Sequence, residues 1–387
     1  MILAKKVRLL PTHEQEQLLF ASCGVARFAY NRVKAVSERY YKMFGKGLSD
    51  KVLSTYFTKL KKRVNFTWLN SHSADIPKQA VKDYIKAKQA SFRQYGNGYH
   101  VNFKSKHHAK QGFYADYVKT KIRKKSVYIS MIGDIRTSRQ LPRNRKLSNP
   151  RVMFDGKHWY ISIGFHHDEP KDNAPSNDIV GVDLGLKDLF TCSNGMVCTN
   201  ITKTARYQKL IRAKKIAQRQ VSKRYVKGSK KQSKRYYKAK KQFNKYTNKL
   251  SNITKNHIHQ ATSALAKTKP TAIVIETLDV KNLMKNRRLS ATFQKSNLGF
   301  IKHCISYKAQ KWGIDLVVAD KWFASSQLCS CCHQKYDSDK QGRKWGLAIR
   351  EWTCIHCGTH HDRDKNASQN LANYGQRYRP LASADTH

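Results

Sequence analysis

Acidic residues are scarce in this sequence: Asp and Glu number 25 against 76 Lys and Arg, a formal charge of +51 on 387 residues. A field so one-sided argues against an ordinary metabolic enzyme acting on a small molecule and calls for a polyanionic partner. Long apolar runs are missing as well. Stretches such as Ala272 to Ile275 are only strand-sized, and the opening MILAKKVRLLP lacks a signal-like apolar segment followed by a cleavage site. Without an apolar anchor the partner is nucleic acid rather than a membrane, and a cytoplasmic protein is expected. A disulfide framework is absent too, because the nine cysteines are odd in number and five of them crowd between Cys329 and Cys357. Proline is sparse, and two of the eight fall in the polar segment 168–178, which reads as a linker and domain boundary. What remains is 40% apolar and 11% aromatic, enough for the cores of two to three domains.

Val7 and Leu9 among Lys5, Lys6 and Arg8 suit a basic strand over Ile2 to Leu10, stopped by Pro11. Thr12 and Gln15 have capping-box spacing, so a helix is expected to about Cys23, with Gly24 punctuating it before a second helix from Val25 to Phe44. That second helix would carry Arg27, Tyr30 and Asn31 together. Another helix is expected from Pro77 to about Gln94, ended by Gly96 and Gly98. From about residue 100 the pattern turns to strands: Val127 to Ile132, then Val152 to Phe154 and Trp159 to Phe165 joined through Asp155-Gly156.

Between Leu189 and Ile275 there is no acid at all, while residues 201 to 260 hold twenty Lys or Arg. A solvated helical face ordinarily mixes signs for i to i+4 pairing, and here nothing is available to pair. Gly228 divides this region into a basic helical hairpin, its second helix buried along Leu250, Ile253, His257 and Ala261. The surface suits nucleic acid, with Tyr207, Tyr225, Tyr236, Tyr237 and Tyr246 available for packing or stacking.

Against this background three acids stand out. Asp183 interrupts the apolar strand Ile179 to Leu186 between Gly181 and Gly185, and Glu276 ends the strand Ala272 to Ile275. A third cluster, Asp362-Arg363-Asp364, opens a helix. A buried unpaired carboxylate would protonate or destabilise the core unless it neutralises a metal or other cation, and flanking glycines let another group approach the backbone. Three acids on two strand ends and a helix start match two-metal phosphodiester hydrolysis with Mg²⁺. The pairs Cys329-x-x-Cys332 and Cys354-x-x-Cys357, 21 residues apart, carry zinc-ribbon spacing. Four thiolates close a structural site, with Cys331 spare and His333, His356, His360 and His361 able to substitute. Cys23, Cys192, Cys198 and Cys304 read as buried small hydrophobes.

GVDLGLKDL at 181–189, IVIETLDVKNLM at 273–284, the CSCC and CIHCG pairs and DRDKNAS at 362–368 resemble the TnpB (OrfB) proteins of bacterial insertion sequences, relatives of type V CRISPR effectors. RLLPTHEQ and GVARFAYN extend the similarity almost to the N-terminus. The resemblance implies an α+β multidomain protein: a RuvC-like, RNase H-fold nuclease with an inserted zinc ribbon, preceded by a wedge β-barrel with a helical recognition insert. The expected boundaries are 1–10 wedge strand, 11–99 helical insert, 100–167 wedge β-barrel, 168–178 linker, 179–321 nuclease with a hairpin at 201–268, 322–360 zinc ribbon, and 361–387 third nuclease motif and tail. It implies Asp183, Glu276 and Asp364 as catalytic ligands of two Mg²⁺, with Asp362 the second choice at the last position. One structural Zn²⁺ would sit on Cys329, Cys332, Cys354 and Cys357. A guide RNA from the transposon end, double-stranded target DNA and a short adjacent motif are implied as partners, in a bacterial or archaeal cytoplasm at the nucleoid. Lys78, Gln79, Lys82, Lys281, Asn282, Arg287, Arg288 and Arg363 are the candidate nucleic-acid contacts. A nuclease-inactive RNA-guided repressor and a DNA transposase are the alternatives; the first should have lost an acid, and the second carries its acids in the order Asp, Asp, Glu. Two departures from the family pattern, Cys332-His333 for Cys-Gly and Ala367-Ser368 for two alanines, spare every ligand.

Overall fold

The computed structural model describes residues 1–96, 101–106, 111–167, 176–229, 231–277, 285, 296–339, 342, 345–346 and 349–378. The chain divides into two compact units, Met1–Asp168 and Glu169–His387. No described helix is long and apolar enough to cross a membrane.

The first unit begins with β1 (Ile2–Leu10), in which Val7 and Leu9 are buried while Lys6 and Arg8 are exposed. One helix follows, α1 (His13–Phe44), where two were expected. Thr12 and Gln15 form the expected capping box, but Gly24 does not interrupt the helix. A glycine costs a helix about 1 kcal/mol, less than the buried stripe Leu19, Cys23, Val25, Ala29 and Val33 returns across it. The helix stops at Gly45, whose φ of 65° suits a left-handed C-cap. After α2 (Asp50–Leu60) and a 3-10 turn comes α3 (Asp75–Tyr95), starting two residues before Pro77 and ending on Gly96 at φ 68°.

Strands β2 (Gln111–Tyr114), β3 (Lys121–Ile122), β4 (Ser126–Ile129), β5 (Gly133–Thr137), β6 (Leu147–Phe154) and β7 (Trp159–His166) complete a seven-stranded sheet in the order β2-β6-β7-β1-β5-β4-β3, antiparallel throughout. The strand expected over 127–132 instead ends at Ile129 and turns back at Gly133, with Met131 and Gly133 at positive φ. Asp155-Gly156 does join β6 to β7: Phe154 pairs with Trp159, and the Asp155 carboxylate accepts from the amides of Lys157 and His158.

The second unit is built on β8 (Ser176–Leu184), which starts inside the segment read as linker, with β9 (Asp188–Cys192) and β10 (Val197–Thr199). The basic hairpin α4 (Ala205–Arg224) and α5 (Lys234–Lys267) leads to β11 (Pro270–Ile275), α6 (Leu298–Trp312) and β12 (Asp315–Val318). Sheet order is β10-β9-β8-β11-β12, with β8, β11 and β12 parallel and the other two antiparallel. The buried stripe of α5 is Leu250, Thr254, Ile258, Thr262 and Leu265, which shifts the expected register. Its threonines bury because their hydroxyls donate to the carbonyls of Leu250 and Ile258 one turn back.

Alternation along β8 and β11 sorts residues to two faces. Val180, Val182, Ile273 and Ile275 pack with Ile258 of α5 and Ile301 of α6. The other face meets the last helix, α7 (Arg363–Tyr378), through Ile179, Val274, Leu371 and Tyr374. Between β12 and α7 lies a small ribbon with β13 (Glu351–Thr353), β14 (His360–Asp362) and its own core of Tyr336, Trp345, Ile349 and Trp352.

Candidate active site and metal centre

Register brings two of the acids together. Val182 of β8 pairs with Ile275 of β11 in parallel, so Asp183 and Glu276 are the next residues abreast, on the face turned to α7. Gly181 is what lets α7 approach: a Cβ there would lie 2.0 Å from the Ser368 carbonyl oxygen and 2.5 Å from the Ala372 amide nitrogen. The helix thereby brings Asp364, in its first turn, within electrostatic reach of Asp183. Asp362 is occupied otherwise, its carboxylate accepting from the amides of Asp364 and Lys365 as a helix cap.

All three carboxylates are half-buried. Asp183 is raised well above its ordinary value by burial, then by the neighbouring charges of Glu276 and Asp364, with Arg363 and Arg350 opposing. Burial raises Glu276 to about 7, against a hydrogen bond from the Leu184 backbone and the charge of Arg363. Asp183 and Glu276 therefore resist ionising together without a cation, and hard divalent ions bound by carboxylate oxygen suit such a pair.

A pH dependence follows. Glu276 rises from 4.5 to about 7 on folding, so its protonated form favours the fold below its unfolded value and that contribution disappears as pH climbs through 7. Each tenfold gain in proton affinity on folding is worth about 1.4 kcal/mol, so without added divalent ions stability should fall by about 2 kcal/mol between about pH 5.5 and 8. Asp183 acts in the same sense. Urea unfolding of Glu276→Gln should flatten this fall and give a more stable protein at about pH 8; an unchanged slope would remove Glu276 as its source.

The cysteines gather separately. Sulfur atoms of Cys329, Cys332, Cys354 and Cys357 all lie within 4.8 Å of one another, with Cys329–Cys357 and Cys332–Cys354 at 3.5 Å. A tetrahedral site with metal–sulfur bonds of about 2.3 Å requires sulfur separations of about 3.8 Å, so the set fits a metal ion. The Thr359 hydroxyl, 3.3 Å away, helps hold the Cys357 thiol down to about 6. His361, which sequence alone left as a possible ligand, stands behind the site: its Nε2 lies 3.0 Å from the Cys329 sulfur and its ring rests on Trp352. Cys331 is exposed, and Cys23, Cys192, Cys198 and Cys304 are buried as expected.

Each cysteine pair closes on a left-handed residue, Gly358 at φ 71° and His333 at φ 61°. Histidine is disfavoured there by about 1 kcal/mol, and His333 is exposed. His333→Gly should therefore raise the Tm, by an amount matching about 1 kcal/mol; a lower Tm would mean that the ring makes a contact of its own.

In the first unit, Gln79 and Lys82 line a cleft of about 630 Å³ with Lys86, Lys146, Arg151 and Tyr117. Lys78 is exposed outside this lining. Arg151 is anchored by two 2.8 Å bonds to Asp83; its part in the cleft was not legible because β6 and α3 are distant in sequence. Lys281, Asn282, Arg287 and Arg288 lie outside the described residues. Arg363 donates to the carbonyls of Gly346 and Ile349 and stacks over Trp345, so its guanidinium is engaged within the ribbon. On the basic hairpin Tyr207 and Tyr236 are buried, whereas Tyr225 and Tyr237 are exposed.

Three family models match parts of the chain: a helix-turn-helix domain of OrfB type over residues 1–46, an OrfB model described as "Probable transposase" over 162–287, and a Cas12f1-like TNB domain over 299–371. Residues 1–46 nevertheless form one strand and one unbroken helix. A Streptomyces pristinaespiralis protein named "Putative RNA-guided DNA endonuclease" is 30% identical over 376 residues, covering 95% of this chain and 88% of that one. InsQ of Escherichia coli K12, under the same name, is 25% identical over 95% of this chain and 91% of its own length. The fold is similar to Cas12f1, seen by cryo-EM with a single guide RNA and target DNA: TM-score 0.54 and 11% identity over 96% of this chain and 99% of that one.

Proposed function

The chain belongs to the TnpB (OrfB) family of insertion-sequence proteins, and we propose that it is an RNA-guided DNA endonuclease that cuts by two-metal hydrolysis. The observation that carries this reading is the convergence of Asp183, Glu276 and Asp364 on one face of the sheet, where burial and mutual repulsion demand cations, in a chain of charge +51. A nuclease-inactive repressor would not need three acids held under this tension. The family name "transposase" does not favour strand transfer either, since the order Asp, Glu, Asp differs from the order expected of such an enzyme.

The sheet order β10-β9-β8-β11-β12, with its antiparallel edge pair, suits an RNase H-like nuclease of RuvC type. The antiparallel sheet and helices of the first unit suit a wedge domain with a helical insert. Mg²⁺ held by Asp183, Glu276 and Asp364 would supply an activated water and charge stabilisation at the leaving oxygen. The chain's own share is to keep these carboxylates abreast and partly shielded from solvent, which strengthens their hold on a cation. Zinc is the metal that suits four thiolates, and its site is closed to substrate.

A guide RNA transcribed with the transposon end would supply sequence choice by pairing with one DNA strand, while the protein holds the duplex by its backbone. This division of labour accounts for a charge so large with no base-reading motif. The basic hairpin and the cleft around Gln79 and Lys82 are the surfaces for these contacts, the second a candidate reader of the motif beside the target. The protein would act at the nucleoid.

The test is to co-express the protein with the DNA flanking its gene, sequence the RNA that copurifies, and challenge the complex with Mg²⁺ and plasmids carrying the matched target beside randomised bases. Depletion of particular flanks, absent with Asp183→Ala, is the expected result. A discrete bound RNA without cutting would favour the repressor, and no specific RNA would overturn guided recognition.

A further inference from the structure

Three asparagines recur along one side of α7 at positions 366, 370 and 373, and all three bond to the main chain around the first cysteine pair. The Ser330 amide donates to Asn366 Oδ1 at 2.9 Å, and Asn366 Nδ2 donates to the Leu328 carbonyl at 2.7 Å. Asn370 Nδ2 donates to the carbonyls of Ser325 and Leu328 at 2.8 and 2.7 Å, and Asn373 Nδ2 to that of Ser330 at 3.3 Å. Leu328 and Ser330 flank Cys329, so both of its neighbours are tied to the helix.

The second cysteine pair reaches the same helix through the chain itself. β14 leads from Cys357 past His361 straight into α7, whose first residue, Arg363, donates its amide to the Arg350 carbonyl at 2.8 Å. Both halves of the four-cysteine site are therefore fastened to the turn that carries Asp364.

Asn366 and Asn370 are 3% and 1% exposed. Side-chain amides this buried must keep their hydrogen-bond partners or be stranded. If the loop 325–330 shifts, α7 must shift with it. With metal bound, the four sulfurs fix that loop; without it, among the described residues, only the small core of Tyr336, Trp345, Ile349 and Trp352 and the Cys329–His361 contact hold the two cysteine pairs in place, a looser constraint than four metal–sulfur bonds. A surface ribbon serving only to touch nucleic acid would not require a row of asparagine amides on the nuclease helix bonded to its first cysteine loop.

We propose that Asn366, Asn370 and Asn373 are positioning residues that couple the zinc ribbon to Asp364, so that zinc occupancy sets how well the carboxylate site binds its divalent ions. The coupling rests on the reading of Asp364 as a metal ligand. It is reciprocal, as any coupling between two binding sites must be: ions at the carboxylates should also tighten zinc.

The experiment uses the full chain with its copurified RNA and reads Mn²⁺ binding directly by electron paramagnetic resonance, with Asp364→Asn defining the signal that belongs to the carboxylates. Removing zinc from the wild type with 1,10-phenanthroline should weaken that binding at least about tenfold, and restoring zinc should recover it. Asn366→Ala, and Asn373→Ala as a milder variant at a half-buried position, should weaken Mn²⁺ binding while one zinc per chain remains. That retention would be checked by the charge-transfer absorption of the cobalt-substituted protein. In Asn366→Ala, zinc removal should then have a smaller further effect than in the wild type, because part of the link is already cut.

Zinc-replete Asn366→Ala or Asn373→Ala with wild-type Mn²⁺ affinity would overturn the proposal, as would zinc-free wild type with unchanged affinity. An Asp364→Asn protein that binds Mn²⁺ like wild type would overturn it too, by removing the site being positioned. A wild type that shows the zinc-dependent shift yet never cuts DNA would count against the endonuclease reading alone and leave the coupling standing.

Discussion

Asp183→Asn is expected to reduce target cleavage by at least about a thousandfold while leaving RNA binding and the fold intact. The reason lies in the balance at that position. Asp183 is pushed up by burial and by Glu276 and Asp364, so it resists staying charged alone and depends on a bound cation. Replacing it with the isosteric amide removes one charge without changing shape. The metal-free protein should then become more stable, and catalysis should fail because the remaining carboxylates no longer neutralise two ions. Opposite changes in stability and rate distinguish a site residue from a folding residue, for which both would fall together. The measurement is single-turnover cleavage of a matched plasmid beside a urea melt of the same preparation. Cutting at more than a tenth of the wild-type rate would remove Asp183 from the metal site.

How much of this could be read from residues alone depends on the distance over which each feature is determined. The capping box at Thr12, the Asp155-Gly156 turn and the Gly228 break are set within a few residues, and each occurs where the sequence puts it. Gly24 misled because a glycine's helix cost is local whereas the burial of Leu19, Val25 and Val33 that outweighs it is tertiary. The stripe of α5 slipped for a related reason: threonine looks polar in sequence but buries once its hydroxyl bonds back to the helix. At the candidate site, the glycine beside Asp183 announced that something approaches the strand, but only the packed helix identifies α7 as that group. The three asparagines were silent, and His361 stood out only as a possible ligand, because their partners are main-chain atoms and a sulfur supplied by the fold.

Gly181→Ala and Gly299→Ala make the same chemical change and should have effects of opposite sign. At Gly181 the new methyl would meet only fixed atoms, the Ser368 carbonyl oxygen at 2.0 Å and the Ala372 nitrogen at 2.5 Å, with Leu371 Cβ at 2.9 Å. No flexible side chain can yield there, so α7 must move away from β8 by an ångström or more. Overpacking of this kind costs about 3 kcal/mol or more when backbone is displaced. It also carries Asp364 away from Asp183, so any folded fraction should cut poorly. At Gly299, in the first turn of α6, a Cβ meets nothing within 4 Å. Alanine there should stabilise by about 0.5 to 1 kcal/mol, because it restricts the unfolded chain and favours helix at no steric cost. Thermal melts of the two variants, with cleavage rates measured on the same samples, decide the matter. A Gly181→Ala protein as stable as wild type would mean that α7 does not rest on β8 at that glycine, and the approach of Asp364 to Asp183 would lose its support.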